Sequence, residues 1–166
     1  MIDDVKGNKN SSGTILVAED GDTDALVFRK AFAKAELPHT LRFVKDGKEA
    51  IDYLEGKAPY ADRQHFPEPD LIVLDLTMPS VDGFYVLKWI RAAGRKPTPV
   101  VVLAASDYDA DKHLALRLGA QEYRTKSPGV TALSQFLKEA CERWIQPDSD
   151  SKPGSEDLPL PGTLSE

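Results

Sequence analysis

With 166 residues, 41% of them hydrophobic, the chain is sized for one globular domain with a real core. Its formal charge of -6 argues against nucleic acid as a partner, since phosphate binding needs a basic surface. Its one cysteine, Cys141, excludes an intramolecular disulfide, and no segment suits a signal peptide or a membrane span of roughly 20 apolar residues, so a cytoplasmic setting is expected.

Along the chain, residues 1–13 read as a flexible N-terminus. "TILVAED" starts as an apolar strand and turns acidic at Glu19 and Asp20. "TDALVFRKAFAKAE" spaces Ala25, Phe28, Phe32 and Ala35 at helical intervals. "HTLRFVKD" alternates Leu41 and Phe43 as a strand does, and "GKEAIDYLEG" is a short helix closed by Gly56. The polar, proline-bearing "GKAPYADRQHFPEP" reads as a loop. "DLIVLDL" is a second buried strand, and "GFYVLKWIRAAG" is a helix with Phe84, Leu87 and Ile90 on one face and Gly94 at its C-terminal end. "PVVVLA" is a third buried strand, followed by the helix "DADKHLALRLG", the short strand "AQEYRTK" and the long helix "VTALSQFLKEACERWI". The tail, 147–166, sets five acids against Lys152 and is rich in Pro, Ser and Gly. Such a segment cannot bury enough apolar area to offset its ordering entropy, so it is expected to be disordered.

Apolar strands alternating with helices predict an α/β, doubly wound (βα)5 sandwich: a five-stranded parallel sheet covered on both faces. In the flavodoxin-like order 2-1-3-4-5, the first and third strands are neighbours and ligands sit beyond their carboxyl ends. Glu19, Asp20 and Asp75 then meet at one site. Carboxylates crowded together repel, and a hard divalent cation such as Mg2+ resolves the repulsion. Lys126, after the last strand, adds a positive charge on the same side, which suits an incoming phosphoryl group.

These residues resemble the receiver domain of two-component response regulators, over about Thr14 to Trp144. The resemblance rests on Glu19-Asp20, on "LIVLDLTMPSVDG" around Asp75, and on Lys126. It implies a receiver domain over 14–146 in which Asp75 accepts a phosphoryl group from a sensor histidine kinase, in two-component signalling or a phosphorelay. It further implies that Glu19, Asp20, Asp75 and the backbone carbonyl of Thr77 hold Mg2+, and that Lys126 binds the acyl phosphate. Met78, Pro79, Asp82 and Gly83 match the family's loop after the phosphoacceptor, and Tyr123 its switch aromatic. The loop "APYADRQHFPEPD" and "TLRFVKDGKEAIDYLEG" before it are similar to single-domain regulators that partner phytochrome-type kinases. With no output domain in the sequence, the signal is expected to leave through a downstream protein, a phosphotransfer domain or a homodimer, the chain itself being no enzyme.

Three positions depart from the family pattern. Ala104 stands where a Ser or Thr normally binds the phosphoryl group. Ser106 lies two residues on, about 6–7 Å further along an extended strand, and either substitutes for that hydroxyl or caps the following helix. Thr77 replaces an asparagine common in the subfamily, and Ser127 a proline. Two enzyme or cofactor readings fit poorly. Haloacid-dehalogenase-like phosphatases need a second acid where Thr77 stands, and the acidic "AEDGDTD" would repel a flavin phosphate. A phosphate-independent adaptor, favoured by Ala104, is the remaining rival.

Overall fold

A computed structural model describes residues 12–94, 98–126 and 128–145. The expectations for residues 1–11, for Ser127 and for the tail lie outside the described residues. Five strands, β1 (Thr14–Ala18), β2 (Thr40–Val44), β3 (Leu71–Leu74), β4 (Val100–Ala104) and β5 (Glu122–Thr125), pair in parallel in the order 2-1-3-4-5. The helices α1 (Asp22–Ala35), α2 (Gly47–Glu55), α3 (Gly83–Ala92), α4 (Asp109–Arg117) and α5 (Val130–Trp144) fill the connections. Five strands and five helices thus alternate as the hydrophobic pattern predicts.

The central strands β1, β3 and β4 are buried at every position, so their side chains alternate between two cores. Leu16, Ala18, Ile72, Leu74, Val102 and Ala104 face α2, α3 and α4, whereas Ile15, Val17, Leu71, Val73, Val101 and Leu103 face α1 and α5. Helix ends carry their own stops. Asp46 and Asp82 cap α2 and α3 by accepting the N–H of Glu49 and Tyr85, and Gly56 closes α2 in the left-handed conformation. On α3 the deepest residues are Val86 and Leu87, with Phe84 and Ile90 half-buried.

The loop between α2 and β3 is more than a polar connection. Tyr60 is buried, and Tyr60 and Phe66 pack against Tyr53 with ring centroids 5.0 and 6.1 Å away. Arg63 donates to the carbonyls of Tyr53 and Leu54 at 2.9 Å each, satisfying the C-terminal end of α2. Arg42 donates to the His65 carbonyl and lies over the Phe66 ring. For this reason Arg42 is buried: it lies on the sheet face shared by Leu16 and Val44, and the loop folds over that face at the β2 edge and covers it.

Gly13, placed in the N-terminal segment by sequence, is already tied down. Its N–H donates to Nδ1 of the buried His39 at 3.1 Å, and its carbonyl accepts from Thr40 N–H. An Nδ1 that accepts must be unprotonated. Burial lowers the His39 pKa, against a smaller opposing pull from Asp70. An unfolded histidine therefore takes up a proton at a pH where the folded one does not, and stability falls as pH drops below about 6.5. Urea midpoints at pH 7.5 and 5.5 should accordingly drop further for the wild type than for His39→Gln. Equal drops would show that His39 contributes nothing to the pH dependence.

Candidate functional site

Parallel register builds the site without any special folding of the chain. Ala18 pairs with Leu74, so the next residues, Glu19 and Asp75, emerge side by side at the carboxyl ends of β1 and β3. Asp75 N–H donates to the Ala18 carbonyl and Glu19 N–H to the Val44 carbonyl, fixing both backbones. On the other side Ala104 pairs with Thr125, and Lys126 N–H donates to the Ala104 carbonyl at 2.7 Å. Lys126 thereby enters the same crevice from β5.

The side chains converge. Lys126 Nζ donates to Glu19 Oε2 at 2.9 Å and to Asp75 Oδ2 at 3.2 Å. A third bond, 3.1 Å long, runs to Oδ2 of Asp24 in the first turn of α1. Sequence reasoning missed Asp24; the available signal was an acid in the first turn of the helix that follows Glu19 and Asp20. The second oxygens are held by backbone. Gly21 N–H donates to Glu19 Oε1, and Thr77 N–H to Asp75 Oδ1, each at 3.1 Å. Carboxylate oxygens of buried Glu19, exposed Asp20 and buried Asp75 all lie within 4.8 Å of one another.

The charges are unevenly matched. Burial opposes the positive charge of Lys126, but its bond to Glu19 and the fields of Asp75 and Glu19 outweigh that and raise its pKa above the ordinary lysine value. Glu19 is also shifted upward: burial dominates over the lowering effects of Lys126 and the Gly21 N–H. One lysine is too little positive charge for this carboxylate pocket. An all-oxygen donor set that is short of positive charge fits a hard divalent cation.

The loop after β3 serves as the scaffold of Asp75. Met78 is buried, Pro79 is exposed, and Asp82 caps α3. Gly83 is there because backbone passes too close for any side chain: a Cβ would lie 2.5 Å from the Asp75 carbonyl oxygen and 2.8 Å from Leu76 Cα. Gly83 N–H donates to the Leu76 carbonyl at 3.0 Å, closing the loop.

Around β4, Ala104 is buried and supplies only a methyl group. Ser106 Oγ accepts from Tyr108 N–H at 3.1 Å, an arrangement that organises the approach to α4. The Tyr123 hydroxyl donates to the Ser106 carbonyl at 2.6 Å, so Tyr123 and the β4–α4 loop are joined.

The family model of the response regulator receiver domain matches residues 15–138. The chain belongs to this family. Among relatives of the receiver is the response regulator Rcp1 of Synechocystis sp., 30% identical over 138 residues, 82% of this chain and 92% of that protein. The phosphorylated cyanobacterial phytochrome response regulator RcpA is similar in structure, with TM-score 0.70 and 34% identity over 81% of this chain and 95% of that one. So is the Mn2+-bound form of Rcp1, with TM-score 0.67 and 28% identity over 90% of this chain and 99% of that one. The receiver therefore resembles phytochrome response regulators. Among its described residues, no helix is long and apolar enough to cross a membrane.

Proposed function

We propose that this receiver accepts a phosphoryl group on Asp75 from the phosphohistidine of a phytochrome-type sensor histidine kinase. The observation that carries the proposal is the convergence of Lys126 with the buried carboxylates of Glu19 and Asp75, with Asp20 beside them. A carboxylate oxygen of Asp75 attacks phosphorus, the new O–P bond forms, and the N–P bond breaks. Its electron pair leaves on the imidazole, and Asp75 becomes an acyl phosphate. Thr77 N–H orients the Asp75 carboxylate for this attack. Lys126 redirects a donor from Asp75 to a phosphoryl oxygen, a charge-assisted bond. Glu19 and Asp20, with Asp75 and the Thr77 carbonyl, would hold Mg2+, which supplies charge neutralisation for the phosphoryl oxygens.

The protein is thus a stoichiometric phosphoacceptor in the cytoplasm rather than a turnover catalyst. Residues 14–146 form the receiver unit, and its signal leaves through a downstream protein, a phosphotransfer domain or a second copy. Support for the phytochrome-type kinase comes from the resemblance to Rcp1 and RcpA. Ala104 separates accepting the phosphoryl group from converting it into motion, because the hydroxyl that would draw the β4–α4 loop toward the phosphoryl group is missing. It also favours the rival reading, an adaptor that binds partners without phosphate. Incubation with acetyl phosphate tests the proposal: labelling should require Mg2+ and be abolished in Asp75→Asn. A wild-type protein that does not label would leave the adaptor.

A further inference from the structure

From the geometry around Lys126 we infer that Asp24 is an electrostatic brake on phosphoryl acceptance, a positioning residue that ties down Lys126 and leaves the cation-filled site net anionic before the phosphoryl group arrives. The inference rests on the assignment of Asp75 as phosphoacceptor. Lys126 has three N–H donors, and its three bonds run to Glu19, Asp75 and Asp24. Asp24 differs from the other two acceptors. Its side chain is 52% exposed, against 3% for Glu19 and 7% for Asp75, and it stands on a helix rather than at a strand end.

Open space lies on the Asp24 side. Asp24 and Lys126 both line a cavity of ≈ 350 Å³ between α1, β5 and α5. The acid on the opposite wall, Glu139, already accepts from Arg124 and Gln135. Asp24 is therefore the acceptor that holds the ammonium at the edge of the carboxylate pocket.

The charge count gives the direction of the effect. Glu19, Asp20 and Asp75 are balanced by Lys126 and a divalent cation; Asp24 adds one negative charge in excess. Its Oδ2 is 3.1 Å and Asp75 Oδ2 is 3.2 Å from the same nitrogen, so the two carboxylates lie within about 6 Å of each other. At that separation a unit charge acting on a dianionic phosphoryl group, in a medium close to water, changes its arrival about three- to tenfold. Asp24→Asn removes the charge and keeps an oxygen that can accept from Lys126.

The full-length wild type and Asp24→Asn are compared for Mg2+-dependent labelling by acetyl phosphate and for beryllofluoride affinity by titration calorimetry. The variant should label about three- to tenfold faster at low salt and bind beryllofluoride, which carries a single negative charge, about two- to threefold more tightly. The gain should contract toward unity near 1 M salt, where the screening length falls to about 3 Å. A merely structural role would move the urea midpoint and leave no salt slope. A wild type that neither labels nor binds beryllofluoride removes the phosphoacceptor assignment and this inference together. If the wild type labels but the variant matches it, labels more slowly, or keeps its gain at high salt, the assignment stands and the brake is overturned.

Discussion

Lys126→Ala is expected to destabilise the cation-free protein by on the order of 3 kcal/mol and to weaken beryllofluoride binding about tenfold to a hundredfold. Both effects come from the same nitrogen. Glu19 and Asp75 are 5% and 6% exposed, and Lys126 is the cation bound to both carboxylates. Truncation leaves two neighbouring buried carboxylates repelling each other, the situation in which breaking an ion pair costs most. Burial already raises the Glu19 pKa with the lysine present, and the Lys126 bond opposes that rise, so its loss makes the charged carboxylate costlier still. Mg2+ should recover part of the loss, because it answers the same repulsion. The check is the urea midpoint in chelator and then in Mg2+, with Lys126→Met as a second variant that keeps the aliphatic stem. A loss below about half a kcal/mol in both variants would mean that the carboxylates do not depend on Lys126.

Ala104→Thr is expected to strengthen beryllofluoride binding about tenfold or more and to slow amide exchange across residues 104–109 when the site is loaded. The added hydroxyl would stand at the end of β4, beside the Lys126 strand end to which Ala104 is bonded through its carbonyl. One bond to an anionic acceptor contributes about 1.5–3 kcal/mol to the loaded conformation, which corresponds to one to two decades of affinity. Threonine is compatible with the extended backbone there. Tyr123 and the Ser106 carbonyl are already joined, so a loop drawn inward would carry Tyr123 with it. Unchanged affinity and unchanged exchange would show that the missing hydroxyl is not what limits switching. Ser106 keeps an O–H able to donate, but it is a weaker candidate for that role because its Oγ is held in the turn ahead of α4 by Tyr108 N–H.

Much of this site is legible in the amino-acid sequence, and the reason is physical. Strands buried on both faces leave a continuous apolar run, so "TILVA", "LIVL" and "VVVLA" announced themselves, and the order of a parallel sheet then placed Glu19 beside Asp75. Lys126 followed for the same reason, from the end of β5. Side-chain placements that depend on long-range partners were not legible. Arg42 is a charge on the core face of β2, and its cover comes from a loop that begins beyond α2. Tyr60, in a segment with no periodicity, packs on Tyr53 because the loop returns to the helix it left. Asp24 carries no motif, and only the reach of a lysine from the far end of the chain gives it a role.

If Asp75 is the phosphoacceptor, it sits in a cation-dependent site able to hold a phosphoryl group, Ala104 notwithstanding. Titration of the wild type with beryllofluoride, a mimic of the acyl phosphate, tests it most directly, with and without Mg2+ and beside Asp75→Asn. Saturable binding of one beryllofluoride per chain is expected, dependent on Mg2+ and lost in the variant. Absence of binding by the wild type, or binding that persists in Asp75→Asn, would contradict it.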